Sequence, residues 1–556
     1  MNPWWKEGPV YQIYPRSFQD SNGDGLGDIP GIISRLDELA ELGIRGIWLS
    51  PVYSSPGIDN GYDISDYRAI DPRLGTMEDM EALIREAANR DIRIIMDLVI
   101  NHTSDEHEWF QKSRNREAPY DGYYIWRPAK PTGGPPNNWT GFFMERTWTW
   151  DEQRGEYYLH LFHKKQPDLN YRNPRVIEEI KGILRFWLDK GVGGFRCDVI
   201  NLLYKTSLED GRQTLILRGL EHYKSQEGNH AVLRELRREV LDKYDCFTVG
   251  ETVMVDLDEA KLLSDTARRE LDMVFYFDHL EVDRRISRFV PRKFRAGKLL
   301  EVLTTWQQGL DWNAVYLENH DQSRIVSHYG DDSPAYWERS AKLLSTLEFT
   351  LRGTPFIYQG QEIGMTNFDF TGPDQVRDIE SHNLNRLMHK LGIPAWLRWK
   401  WIRPSSRDNA RTPYQWSAAP GAGFTQGVPW LGINANHRRI NHEAQRRDPA
   451  SVLSYYQGMI RFRQGSETLK YGSFKPLPVK GNLIAYEREG EQGEKFTIAL
   501  NFSGRPVKAA FPGTIVASNI GRREQDGVME PWEALVVLCK PPQGLSKPPP
   551  PPLSDA

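Results

Sequence analysis

The sequence predicts an α/β fold: a (β/α)8 TIM barrel with a small β-rich domain inserted after the third strand and a C-terminal all-β domain. Three observations predict it. Eight short apolar runs rich in β-branched and aromatic residues recur between Val10 and Gln359. Amphipathic segments, apolar at three- and four-residue spacing, separate most of them. Acidic residues close several runs, at the strand ends where a barrel gathers its active residues. An open doubly wound sheet is the competing reading; eight strand–helix units favour closure.

The expected strands are 10–14, 46–50, 93–100, 194–199, 247–251, 273–277, 314–318 and 355–359. Helical spacing marks 32–42, 77–88, 176–188, 232–241, 299–306 and 336–349. Residues 103–171 interrupt this alternation with PTGGPP, many Trp and Tyr, and alternating runs such as 157–162. A second interruption, 364–441, precedes a helix at 451–463. Long loops of this kind are usually functional. Short strands with turns follow at 483–488, 496–501 and 534–538. The expected organisation is therefore a barrel over 1–102 and 172–470, with an inserted domain at 103–171 and a subdomain at 364–441. A β-sandwich at 471–541 and an inert proline-rich tail at 542–556 complete it.

Composition narrows the function. The 556 residues hold 71 Lys+Arg against 75 Asp+Glu, a net charge of −4, which argues against binding nucleic acid or an anionic membrane by bulk electrostatics. Eighteen Trp, 24 Tyr and 22 Phe mark a globular chain. Cys197, Cys246 and Cys539 make neither a disulfide framework nor a zinc array. The start of the chain lacks a basic segment followed by an apolar run, and no apolar stretch is long enough to span a bilayer. The expectation is a cytoplasmic protein, monomeric or homodimeric, without a nucleic-acid or membrane partner.

The strand-closing acids carry the chemistry. They are Asp97 before Asn101-His102, Asp198 after Arg196, Glu251 after Gly250, and Glu318 with Asp321 in Glu318-Asn319-His320-Asp321. An acid ending an apolar strand is costly to bury unless paired, so several on one barrel face point to chemistry rather than packing. Converging carboxylates suit glycoside hydrolysis, where one acid protonates the leaving oxygen and an ionised one attacks the anomeric carbon. Arg196 is expected to keep Asp198 ionised, and the apolar run before Glu251 to suit it to acid–base work. Metal-assisted hydrolysis is the rival; the sequence has no HExxH or comparable pair.

DLVINH, GFRCDVIN, VGET and ENHDQSR resemble, in order, the signature regions of the α-amylase superfamily of glycoside hydrolases. QPDLN, GIWLSPVY and SRDNARTPYQW resemble its oligo-1,6-glucosidase and α-glucosidase branch. The resemblance implies a retaining, exo-acting α-glucosidase for small oligosaccharides. Asp198 would be its nucleophile, Glu251 its acid–base, and Asp321 the acid that binds sugar hydroxyls with His102 and His320. Arg196 would support Asp198, and Asp97 would hold Arg196. Asp59 and Tyr62 would close the first subsite, with Phe143, Phe162, Gln166 and Arg407 as further contacts. Val199 resembles the residue associated in this branch with α-1,6 linkages. Retention implies carboxyls of Asp198 and Glu251 about 5–5.5 Å apart.

Asp20, Asn22, Asp24 and Asp28 place oxygens at positions 1, 3, 5 and 9 of a loop, with Leu26 offering its carbonyl. The spacing resembles the start of an EF-hand, but Gly31 stands where the bidentate Glu belongs. The resembled branch implies a structural Ca2+ here, with Mg2+ as the alternative. Three other readings stay open. A trehalose-6-phosphate hydrolase would need cations beyond the cleavage point, for which Lys164 and Lys165 are candidates. A sucrose isomerase would carry an Arg-rich motif that 281–285 match only in part. A sugar-binding homologue without activity would lack one of Asp198, Glu251 and Asp321.

Overall fold

The structure is a computed structural model that describes residues 2–143, 145–214, 216–284 and 292–541. Arg285 and the proline-rich 542–556 lie outside the described residues. The chain divides into two compact units, Met1–Ile47 with Arg90–Ile92 and Phe277–Ala556, and Trp48–Asn89 with Arg93–Tyr276.

All eight expected strands form and join one sheet. They are β1 (Val10–Ile13), β2 (Gly46–Leu49), β3 (Arg93–Leu98), β4 (Gly194–Cys197), β5 (Phe247–Glu251), β6 (Met273–Phe275), β7 (Ala314–Tyr316) and β8 (Thr354–Tyr358). The order is β6-β5-β4-β3-β2-β1-β8-β7. Each strand thus neighbours its predecessor in sequence, and β8 returns beside β1, as in a (β/α)8 barrel. Their near-continuous apolar runs suit strands covered on both faces: Val10, Ile47, Ile95, Phe195, Phe247, Val249, Val274 and Ile357 are all buried.

In the second unit β4 pairs in parallel with β3 and β5. The registers Asp97↔Arg196 and Arg196↔Val249 place the Asp97 and Arg196 side chains side by side. Gly194 opens β4 with φ +156°, and a Cβ there would lie 2.2 Å from the Phe247 carbonyl oxygen. Only glycine lets β4 and β5 approach this closely. Most strands stop short of their expected ends. Asp198 leaves the ladder, its N–H bonding Leu98 O at 3.0 Å, and Val199 follows at φ 36°. Asp97, Arg196 and Glu251 therefore sit within the last residues of their strands, and Asp198 on the turn that follows β4.

Helix starts follow local chemistry. Thr76 and Asp79 form a capping box ahead of Met77–Ala88, and Asn173 caps Pro174–Asp189 with Pro at its first position. The inserted segment forms a three-stranded antiparallel sheet of Trp126–Arg127, Glu156–Leu159 and Trp148–Asp151. In the first unit the C-terminal strands form a five-stranded sheet of Ser473–Pro476, Leu483–Glu489, Lys495–Asn501, Ala534–Lys540 and Thr514–Ser518. A two-stranded sheet of Val507–Lys508 and Val528–Met529 accompanies it. No helix among the described residues is long and apolar enough to cross a membrane.

Candidate active site

The expected site residues fall into two sets, one in each unit. In the unit holding β3 to β6, Arg196 is the centre. Its Nη1 donates to Asp97 Oδ1 at 2.7 Å and to Asp198 Oδ1 at 2.8 Å, and its Nη2 reaches Glu251 Oε2 at 2.7 Å. One guanidinium thus serves three carboxylates from three adjacent strand ends. Trp48 Nε1 and Tyr62 Oη both donate to Asp97 Oδ2, at 3.2 and 3.0 Å, so Asp97 anchors Arg196 from below. The N–H of Val199, a β-branched residue in a left-handed conformation, lies 3.3 Å from Glu251 Oε2. The turn after the nucleophile candidate therefore also orients the acid–base candidate.

Burial governs the protonation of this cluster. It pushes Asp97 up to about 6, against the pull of Arg196. Asp198 is also raised, by burial first, with Arg196 lowering it and the Glu251 and Asp97 charges raising it. Arg196 acts on Asp198 in the direction the sequence suggests, while burial and the two neighbouring carboxylates act against it. Of the three, Glu251 has the most exposed side chain, 12% against 9% for Asp198 and 0% for Asp97.

The remaining members adjoin in a chain. Gln166 Nε2 donates to Asp59 Oδ2 at 3.2 Å and to the Tyr62 carbonyl at 3.3 Å. His102 receives Asn101 Nδ2 on Nδ1 at 3.2 Å and places Nε2 3.1 Å from the same Tyr62 carbonyl. Burial lowers His102 to about 4, so the ring is neutral near pH 7. Phe162 packs on His102 with ring centroids 5.1 Å apart and meets Phe143 edge-on at 5.9 Å. Cys197 is buried, with its thiol pushed up by desolvation, as a core residue requires.

In the unit holding β1, β7 and β8, Asp321 is held by Arg411 Nη2 at 2.5 Å and Arg407 Nη1 at 3.3 Å. His320 Nε2 stands 3.4 Å from Asp321 Oδ2, while its Nδ1 meets Gln12 Nε2 at 2.8 Å and its ring stacks on Tyr14. Arg407 also donates to Asp378 at 2.8 Å. Arg411, Gln12, Tyr14, Asp378 and Trp48 are site neighbours to which sequence reasoning gave no role. The signal for Arg411 was present in SRDNARTPYQW, since residues four apart share one face of a helical turn. Glu318 does not join the functional acids. It pairs with buried Arg324 at 3.0 Å and accepts the Ile325 N–H at 2.5 Å, closing the turn after β7.

The oxygen-rich loop curls on itself. Asp20 accepts the N–H groups of Asn22 and Gly23, Asn22 that of Asp24, Asp24 that of Leu26, and Asp28 that of Gly31. Among the described residues no Lys or Arg pairs with Asp20, Asp24 or Asp28. Three carboxylates, an amide and a carbonyl form a donor set that fits a hard cation. The carboxylate oxygens are not gathered within 4.8 Å of one another. Glu178, Glu235 and Glu239 are so gathered, but Lys181 Nζ already contacts all three.

Comparison with known proteins places this arrangement. Residues 12–472 match the family described as alpha amylase, catalytic domain. The chain belongs to the α-amylase family of glycoside hydrolases. It is 46% identical to an oligo-1,6-glucosidase of Parageobacillus thermoglucosidasius, over 96% of this chain and 98% of that protein. It is 41% identical to a trehalose-6-phosphate hydrolase of Bacillus subtilis, over 97% and 99%. Among solved structures, an isomaltulose synthase mutant of Erwinia rhapontici superposes with TM-score 0.94 at 41% identity, covering 97% of this chain and all of that one. The family is one of enzymes.

Proposed function

We propose that the protein is a retaining, exo-acting α-glucosidase that hydrolyses short α-glucosides, with isomaltose and isomalto-oligosaccharides preferred. The observation that carries this reading is the pairing of Asp198 and Glu251 with adjacent nitrogens of Arg196. It brings two carboxylates from adjacent strand ends to one guanidinium, which supports a nucleophile and an acid–base acting on one glycosidic bond. Asp198 attacks the anomeric carbon while Glu251 gives its proton to the departing glycosidic oxygen. The glucosyl–aspartate ester is then cleaved by water, whose proton returns to Glu251 as Asp198 leaves.

Asp321 with His320 binds the glucosyl hydroxyls, and Arg196 and Asp97 position the nucleophile. Asp59, Tyr62, His102, Gln166, Phe143 and Phe162 close the subsite, and Arg407 contributes through Asp321. The Val199 side chain favours α-1,6 linkages over α-1,4 by the modest factor available to a methyl-scale difference. Asp20, Asn22, Asp24, Leu26 and Asp28 would hold a structural Ca2+ or Mg2+, which supplies charge to the loop and no chemistry. The enzyme is proposed to be cytoplasmic, acting on sugars already inside the cell.

The phosphorylated-substrate reading is less favoured, because Lys165 Nζ is engaged by Glu106 at 3.4 Å and Asp105 at 3.8 Å. The deciding assay offers isomaltose, maltose, sucrose, trehalose and trehalose 6-phosphate in parallel, with Asp198→Ala as control. Release of α-glucose fastest from isomaltose, lost in the variant, supports the proposal. Turnover confined to trehalose 6-phosphate, or conversion of sucrose without hydrolysis, overturns it.

A further inference from the structure

The second interruption of the barrel contains a helical hairpin, Ile379–Lys390 and Ala395–Ile402. Its inner side is anchored. Met388 and Ile402 are buried, and Trp399 Nε1 donates to the Phe370 carbonyl at 3.2 Å. Arg398 stitches the two helices, donating to Asn385 at 2.9 Å and to Ile393 O at 2.5 Å. The outer side is unlike the rest of the surface. Nine large apolar side chains stand exposed among the described residues, and four belong to this hairpin: Leu387, Leu391, Trp396 and Trp401. Trp396 and Leu391 are each 69% exposed.

Charge distinguishes the same segment. Residues 379–402 contain four Lys and Arg against one acid, Glu380 in the first turn, in a chain whose net charge is −4. Lys390 and Lys400 are exposed and form no ion pair among the described residues; Arg403 pairs with Asp369. Exposed Trp and Leu flanked by cations are what a surface seated at the headgroup level of a bilayer requires. Trp prefers the interface, Leu reaches the acyl boundary, and Lys and Arg meet acidic headgroups.

We propose that this hairpin is a peripheral docking surface for an anionic lipid bilayer. Charge complementarity selects this partner. A second copy meeting the same face about a two-fold axis would oppose its cations to those of its mate. An uncharged sugar would give no reason for the excess of cations. The surface adds to the catalytic reading without resting on it, and whole-chain charge gave no sign of it because the patch is local.

The test is co-sedimentation of the full chain with vesicles of phosphatidylglycerol and phosphatidylcholine against phosphatidylcholine alone. Partition at least roughly tenfold stronger on the anionic vesicles, weakened by salt, is expected. Trp396→Ser with Trp401→Ser, and separately Lys390→Glu with Lys400→Glu, should each lower it about tenfold while glucosidase activity and melting stay unchanged. No partition on anionic vesicles, or partition that neither pair of substitutions alters, would overturn the proposal. So would a dimer in sedimentation velocity that the double Trp variant dissolves, since the face would then belong to a second copy.

Discussion

Arg196 Nη2 stands 2.7 Å from Glu251 Oε2, while Nη1 of the same guanidinium reaches Asp198 Oδ1 at 2.8 Å. The two candidate catalytic carboxylates are thus tied to one cation on the strand that carries the nucleophile. This coupling sets the first expectations for mutants.

Glu251→Gln should lower hydrolysis of isomaltose by about 10²–10⁴-fold, the usual worth of a positioned general acid. The first step with 4-nitrophenyl α-glucoside should suffer far less, because that leaving group departs without a proton. Asp198→Ala should abolish turnover of both substrates. Burst and steady-state kinetics on the two substrates check this, and equal losses for Glu251→Gln on both would count against its role as acid.

Arg196→Gln removes the cation shared by Asp97, Asp198 and Glu251. Both buried aspartates then move further up, since burial acts unopposed. The acid limb of the kcat/KM profile should shift to higher pH, with a loss of kcat. A pH–rate profile measures this, and an unchanged limb would mean that Arg196 is structural only.

Glu318→Gln should affect stability first. It leaves Arg324 buried with a weaker partner, and breaking a buried pair typically costs about 3–5 kcal/mol. Thermal unfolding should show a clear drop in Tm. A variant with wild-type Tm but no activity would return Glu318 to the functional acids.

If the Asp20–Asp28 loop holds a divalent cation, chelation should lower Tm without changing substrate KM. Asp28→Ala should remove the response to chelator. A Tm indifferent to chelator and to added Ca2+ would reject the metal.

The buried histidines should weaken folding on acidification from about pH 6.5. His102, His107, His279 and His442 are each lowered to about 4 by burial. Their folded values lie below the unfolded 6.5, so the unfolded chain takes up protons first and folding is weakened as pH falls through this window. Each group contributes about 1.4 kcal/mol per pH unit within it. Asp97, raised to about 6, acts in the opposite sense, as do Asp198, Glu318, Glu348, Glu362 and Asp408, which burial also raises. Calorimetry of His279→Asn isolates the histidine part: its Tm should change by less than the wild type's, in the destabilising sense, between pH 7 and pH 5.

Much of the site was legible in the sequence because its residues are fixed by strand ends. Asp97, Arg196 and Glu251 follow from where the apolar runs stop. Glu318 also follows an apolar run but was given no role, and it pairs with Arg324. Arg411 was quoted within a motif yet given no role, because its partner Asp321 lies 90 residues away. The hairpin at 379–402 left no periodic mark that separates its anchored face from its exposed one.

The sequence by itself determined the eight strands, their acids and the family, since period, burial preference and motif order are local properties. Only the tertiary structure decided how charge is shared. Register sets Arg196 beside Asp97, the left-handed turn at Val199 aims an N–H at Glu251, and burial raises the aspartates that the sequence alone would leave to Arg196. These depend on which distant groups meet and how far water is excluded, and neither is written in any single segment.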